Sequence, residues 1–556
     1  MTLTVHPAER TDLLADRLGD LLATPPEDPF AVEIVVVPAK GVERWLTQRL
    51  SHRLGTSPSG GDGVCAGVRF LNPHSLVSML LDRERDDPWD PDRLVWPLLS
   101  VIDDSLGEPW CTTLATHLGH GLEGDDGVLR RNRRYSVARR LAGLYAGYAQ
   151  QRPSLVVDWR KGRDTDGQGG DLDPDLLWQA ELWRRLVDRV DVPAPDLRHA
   201  ETLASLRAGG EGLELPSRLS LFGHTRLPVT EVELLLALGE SRDVHIWLPQ
   251  PSPRLWEELT GIGGVVRRAD DDSARRVRHP LLASLGRDSR ELRRTLDAVP
   301  GRPAEVAESG ETPPTLLGWL QSDLRANAAP GAEARAARAL DPADRSVQVH
   351  ACHGPARQVD VLREVLVGLL EDDPTLEPRD ILVMCPDIET YAPLISAGFG
   401  LADVVDDGEA HPAHRLRVRL ADRALTSTNP LLAVAAALVR LAGGRVTASE
   451  VLDLATADPV RARFRLSDDD LARVTGWVTD AGIRWGLDAE QRADFSMTRF
   501  GHNTWRSGID RILLGVVMSG DDHRTLGRGL PLDDVGSNDI ELAGRLAELL
   551  ARVERC

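Results

Sequence analysis

Near the N-terminus the apolar run Glu33-Ile34-Val35-Val36-Val37 leads into Pro38-Ala39-Lys40-Gly41 and then into Val42-Glu43-Arg44-Trp45-Leu46-Thr47-Gln48-Arg49-Leu50. A buried strand, a tight loop and a helix is the geometry with which nucleotide-binding proteins cradle phosphates. It commits this end of the chain to an α/β framework. A phosphate loop also needs several glycines so that backbone N–H groups turn inward, then a lysine for the β- and γ-phosphates and a Ser or Thr for Mg²⁺. Here the loop has one glycine, and the two lysines of the chain, Lys40 and Lys161, both follow a residue other than glycine. No Asp-Glu dipeptide occurs to hold Mg²⁺ and activate water in the manner of a helicase-type ATPase. The reading is a nucleotide-motor framework that does not itself hydrolyse ATP.

At 556 residues the chain is too long for one core, and length alone leads to about three or four domains. The longest apolar runs, such as Leu431 to Leu438, fall short of the ~20 residues of a membrane span. No charged-then-apolar leader opens the chain around Glu9 and Arg10. Five cysteines (Cys65, Cys111, Cys352, Cys385, Cys556) without paired spacing fit a reducing cytoplasm. His350 and Cys352 would share a strand face beside His353, but no second ligand pair follows at finger-like spacing, so no metal is expected. A net charge of −20 excludes a uniformly basic nucleic-acid coat while leaving room for a positive channel under an acidic exterior.

Loop-like punctuation falls at Gly55 to Gly63, Glu123 to Gly127, Lys161 to Gly170 and Gly301 to Pro314. Val128 to Gln151 has helical apolar spacing with Arg130, Arg131, Arg133, Arg134, Arg139 and Arg140 interleaved, either a solvated face or one turned to DNA. Leu219 to Phe222, a helix from Pro228 to Leu238 and Val244 to Leu248 form a β-α-β unit. The Ala-rich stretch Arg325 to Asp341 reads as a linker whose middle can be helical. Ser346 to Cys352, a helix over Ala356 to Leu370, and Asp380 to Cys385 read as a second parallel crossover. From Asn429 the chain turns helical, with Ser467 as an N-cap and Asp468, Asp469 and Asp470 complementing the helix dipole rather than forming a metal site. The amphipathic pattern Asp539 to Cys556 stops without Gly, Asn or Pro, so the chain is expected to be cut.

Several ordered blocks carry a family resemblance: Asp28-Pro29-Phe30, Gly41-x-x-x-Trp45-Leu46, Ser217-Arg218 with Phe222-Gly223, His279 to Ser284 and Gln321-Ser322-Asp323. Others are His350-x-Cys352-His353-x-Pro355 through Ile381, Ala481 to Gly486, and His502-x-Thr504-Trp505-Arg506-x-Gly508. On these the chain resembles, over essentially its whole length, the N-terminal half of the RecC family, the gamma subunit of exodeoxyribonuclease V (the RecBCD complex).

The resemblance implies two helicase-like, superfamily 1 type parallel-sheet domains with inserted helical subdomains and lost ATPase motifs. The first would comprise 1–75 and 216–324 with a helical insertion at 76–215; a linker at 325–345 would lead to a second α/β domain at 346–428 and a helical subdomain at 429–556. A C-terminal nuclease-like domain would be absent. It implies a cytoplasmic, non-catalytic scaffold between a RecB-like helicase-nuclease and a RecD-like helicase, guiding strands from double-stranded ends. This chain would need no cofactor, ATP and Mg²⁺ being used by the partners. Family members also read a single-stranded signal, Chi. The neutral polar residues that present to bases there are replaced here by Pro38, Lys40 and Arg44, and acidic positions by Gly143 and Ala146, whereas Arg152 is retained. Strand passage is therefore expected to survive, with Chi specificity altered or lost. Lys40 and Arg44 are the expected phosphate contacts, and Arg152 either contacts DNA or pairs with an acid of the fold. Trp45 is a base-stacking platform or a helix-packing residue. The rival reading is a protein-interaction scaffold that does not touch DNA.

Overall fold

The computed structural model describes residues 3–555, apart from a few single positions and parts of 56–62, 82–86, 125–132, 211–214, 264–269, 298–311, 402–410, 422–427 and 519–528. Pro29 and Arg131, and most of the punctuation at Gly55 to Gly63 and Gly301 to Pro314, lie outside the described residues. The chain divides into two units, 1–351 and 352–556.

The first unit is built on one parallel sheet. Its elements begin β1 (Leu3–Ala8), α1 (Thr11–Leu22), β2 (Glu33–Val36), α2 (Lys40–Ser51), β3 (Val68–Leu71) and α3 (Pro73–Leu80). A helical insertion follows: α4 (Pro91–Ser105), α5 (Thr112–His117), α6 (Arg134–Gln151), α7 (Pro153–Arg160), α8 (Leu177–Arg189) and α9 (Pro195–Arg207). The chain then returns as β4 (Arg218–Phe222), α10 (Val229–Gly239), β5 (Asp243–Pro249), α11 (Pro253–Glu258), α12 (Pro280–Leu285), α13 (Arg287–Asp297) and β6 (Arg302–Pro303). The spatial order is β3-β2-β4-β5-β1-β6, every described pair parallel, with Ile34 against Leu219 and Leu219 against Val244.

Strand alternation sorts the core into two layers. Ile34, Val36, Leu219, Leu221, Val244 and Ile246 pack with α3, α10 and α13, whereas Val35, Val37, Phe222 and Trp247 pack with α1 and α2. The insertion has its own core around Tyr145, Trp159 and Trp183. The β-α-β unit expected at 219–248 is present, while β1 and β3 had not been read from the sequence.

Residues 325–341, expected to be a linker, are fastened to the first unit. After α14 (Leu316–Arg325), Arg325 pairs with Glu9 at 2.7 Å, and beyond α15 (Ala332–Ala337) Arg338 grips Asp323 through two bonds of 2.6 Å. Between them the buried Asn327 donates to the Arg276 carbonyl at 2.8 Å and accepts from the Arg278 N–H at 3.0 Å.

In the second unit α16 (Pro355–Asp372) and α17 (Ile388–Gly398) pack around Val359, Ile395 and Phe399. The flanking segments Ser346 to Cys352 and Asp380 to Cys385 correct the sequence expectation, because neither is a strand and the described residues contain one sheet rather than two. Val349, Leu382 and Met384 are exposed there. Apolar β-formers become a strand only beside a partner strand. The rest is helical: α18 (Pro430–Ala442), α19 (Ala448–Thr456), α20 (Asp458–Phe464), α21 (Asp468–Asp480), α22 (Trp505–Val517) and α23 (Ile540–Val553), around Trp477 and Trp505. Ser467 caps α21 as expected: its hydroxyl accepts from Asp470 N–H at 3.1 Å, and the Asp470 carboxylate accepts from Ser467 N–H at 3.0 Å. Among the described residues no helix is long and apolar enough to cross a membrane.

Candidate nucleic-acid interface

In a parallel sheet all strands point their carboxyl ends to one edge, and the crevice opens where neighbouring strands send their helices to opposite faces. Here that point lies between β2 and β4, since α2 covers the Val35 face and α10 the Ile34 face. Two loops border it, Val37 to Ala39 after β2 and Gly223 to Pro228 after β4. Gly223 has φ +75°, a region that a side chain disfavours, and a Cβ there would sit 4.0 Å from Val42 of α2.

The β2 loop delivers α2 with Ala39 as its N-cap and no side chain bonding the first-turn N–H groups. Gly41 is a helical residue with no positive φ, and a Cβ on it would meet nothing within 4 Å, so it does not provide the inward turn of a phosphate loop. The Lys40 side chain is 72% exposed, with its ammonium 2.7 Å from the Glu43 carboxylate. Arg44 is exposed one turn later on the same face. Trp45 faces the other way, partly buried against the α1/α2 core with its ring 6.2 Å from that of Phe222, as a packing residue would be.

Arg152 stands apart from these three. It joins α6 to α7 and donates to the Asp166 carbonyl at 2.9 Å, a backbone acceptor and not the acidic side chain that was the alternative to DNA contact. With Tyr148, Trp159, Asp171 and Gln179 it lines a surface cavity of about 380 Å³. The carboxyl end of α6 is tied to the switch-point edge through Thr230 of α10, whose hydroxyl donates to the Gln150 carbonyl at 3.2 Å.

Two groups at this edge had not been picked out. His224 is buried in the β4 loop with neither ring nitrogen in a well-formed hydrogen bond; burial lowers its pKa to about 4, partly opposed by the Phe222 backbone, and keeps the ring neutral. Glu231 of α10 lies against Val36, Leu76, Leu221 and Leu235, and this apolar setting raises its pKa to about 7. No local sequence signal marks either group, because the burial that perturbs each comes from segments distant in the chain. No group of three or more metal-ligating side chains gathers among the described residues.

Comparison with known proteins bears on the whole chain. The family model described as "RecC, N-terminal domain" matches residues 3–327, and that of the "RecBCD enzyme subunit RecC fourth domain" matches 428–556. Proteins named RecBCD enzyme subunit RecC are 59% identical in Mycolicibacterium smegmatis and 58% in Mycobacterium tuberculosis, each over 100% of this chain and 49% and 50% of their own lengths. The Escherichia coli protein of that name is 29% identical over 95% of this chain and 49% of its own. The chain thus spans about half the length of the curated relatives it matches. With a family model covering 3–327 and near 60% identity along all of its residues, the chain belongs to the RecC family.

Proposed function

We propose that this chain is the strand-guiding part of a non-catalytic scaffold subunit in a RecBCD-type, ATP-dependent helicase and exonuclease that processes double-strand breaks for repair and recombination. The relatives' printed name supports membership of that complex, with RecB-like and RecD-like subunits as partners that use ATP and Mg²⁺. The observation that carries DNA contact is the helix start at the switch-point edge of the sheet, where α2 begins without a side-chain cap and with Lys40 and Arg44 in the place of a phosphate loop. Helix N–H groups and two cations suit the phosphates of a passing strand, and the missing Gly-Lys-Ser/Thr suits a helicase-like framework that has lost ATP hydrolysis. Arg152 and the exposed part of Trp45 are further contacts under this reading. Chi reading is altered, since Pro38 has no side-chain donor or acceptor for a base.

Single-stranded DNA binding across a salt series, beside a Lys40→Ala/Arg44→Ala variant, tests this. Removing one cation that neutralises a phosphate lowers the log–log salt slope by about 0.7. ATP turnover is expected only after partner subunits are added. A second reading has its own support in the Lys40–Glu43 ion pair and the charge of −20: a scaffold that binds proteins and not DNA. Intact assembly with no DNA binding would favour it.

A further inference from the structure

The glycine-rich stretch between α7 and α8 is more than a connection. Thr165 and Asp171 pair across it as an antiparallel bridge, and the Asp166 carboxylate accepts from the N–H groups of Gln168 and Gly170 at 2.9 and 3.0 Å. A Cβ on Gly167, at φ +77°, would stand 2.8 Å from the Leu155 backbone nitrogen, so the loop lies directly on α7. Together with the end of α6 and the start of α8 it walls the cavity of about 380 Å³. Small-molecule sites span roughly 300 to 1,000 Å³.

This cavity carries opposite charges that do not meet. Arg152 gives one donor to the Asp166 carbonyl and has no ion pair among the described residues; Asp171 and Asp173, on the loop side, have none either. One oxygen of Asp173 accepts from the Asp175 N–H at 3.0 Å. Opposite charges gain by closing on each other, and the packed loop holds these apart. Gln179 is 8% exposed; its side-chain oxygen accepts from the Tyr148 hydroxyl at 3.3 Å, and its amide nitrogen has no partner among the described residues. Much of the remaining wall is aliphatic, from Leu155, Leu172 and Leu176. Tyr148 and Trp159 meet edge to face, 5.8 Å apart at 89°, and Trp159 is 2% exposed, so these two rings offer no parallel slot for a nucleobase.

We propose that this cavity binds a free aliphatic α-amino acid, its carboxylate on Arg152 and the Gln179 amide, its ammonium on Asp171 and Asp173, and its side chain against Leu155, Leu172 and Leu176. A guanidinium fork matches a carboxylate, and an α-amino acid carries both charges on one carbon, which is what a wall with separated donors and acids can bridge. A purely anionic ligand would leave the aspartates facing like charge, and a purely cationic one would face Arg152. The loop is already packed, so little ordering opposes binding. An occupant would join the end of α6 to the loop and α8. The Gln150 carbonyl at that helix end accepts from Thr230 of α10, which gives occupancy a route to the switch-point edge. The inference goes beyond the strand-guiding reading, with which it shares Arg152 alone.

The test is calorimetric titration of L-leucine into the whole chain, with N-acetyl-leucine, leucinamide and guanosine as parallel probes. Arg152→Gln, Asp171→Asn/Asp173→Asn and Leu176→Trp are compared with Lys40→Ala/Arg44→Ala, and the melting of each variant is measured alongside. Leu176 is 41% exposed, so a larger side chain there narrows the cavity without entering the core. Leucine is expected to bind saturably and more tightly than either blocked derivative. Arg152→Gln should weaken it roughly 10-fold or more, the aspartate pair about 2- to 5-fold, and Leu176→Trp should abolish it. No binding of leucine to the unaltered chain overturns the proposal. Equal binding of a blocked derivative does so too, because one of the two charges is then not read. Full leucine affinity in all three cavity variants puts the binding elsewhere, and tighter binding of guanosine makes the cavity a base pocket; both overturn it. Leucine binding retained by Lys40→Ala/Arg44→Ala while that variant loses oligothymidylate supports a site separate from strand guiding.

Discussion

Arg218 at the start of β4 donates to both oxygens of the Glu33 carboxylate and to the carbonyls of Leu21 and Thr24, the last two at 3.1 and 3.0 Å. Glu33 is buried, so Arg218→Ala strands a charge between β2 and β4 and should lower stability by about 3 to 5 kcal/mol in denaturant titration. Two other side chains make stability depend on pH with opposite signs. His6 donates to or accepts from His245 at 3.0 Å and stacks on Trp247 at 4.0 Å; burial first, then His245 and Arg17, lower its pKa from 6.5 to about 4. The folded state resists protonating this ring, so its contribution is complete above pH 6.5 and is lost as pH falls from there toward 4. Glu231 has the reverse effect, because a pKa raised from 4.5 to about 7 stabilises below 4.5 and that stability disappears as pH rises through 7. Melting curves from pH 4 to 8 should show His6→Gln flattening the acid limb, and Glu231→Gln gaining roughly 1 to 3 kcal/mol at the alkaline end.

At the level of elements, legibility followed burial. β2, β4 and β5 are apolar runs covered on both faces, and runs of that kind declare themselves in sequence. β1 was hidden by Pro7, which lies past Thr4 and Val5, the positions that pair with β6 among the described residues. β3 is four residues at an edge, one of them Arg69. The segments 346–352 and 380–385 have the same composition as true strands, and only the lack of a neighbour separates them. For the site, the sequence put Lys40 in the loop and Arg44 in the helix, whereas α2 already begins at Lys40; Glu231 and His224 depend on contacts between distant segments and carried no local mark. Some family motifs acquire a mechanical reason. A Cβ on Gly508 of α22 would stand 2.1 Å from Ile483 Cγ1, so Gly508→Ala should cost about 1 to 3 kcal/mol by forcing that buried side chain aside. Nearby, Arg492 donates to the carbonyls of Trp485, Phe500 and His502 at 2.6 to 2.8 Å and lies 4.3 Å from the Trp485 ring centroid, fastening one loop to the next.

Taken whole, the chain has separate cores in its two units, and calorimetry should resolve two unfolding transitions. Arg218→Ala should move one of them and Gly508→Ala the other; movement of both together by either change would mean a single cooperative block. The segments beside α16 add a property of the solution rather than of the fold. Val347 to Cys352 and Ile381 to Cys385 are short, β-prone, nearly uncharged and free of proline, and Val349 and Met384 are 93% and 87% exposed. Windows of this kind template their own stacking. Self-association should therefore rise with concentration and be suppressed by a lysine at position 349 or 384, making colloidal behaviour, ahead of thermal stability, the first limit on handling this chain.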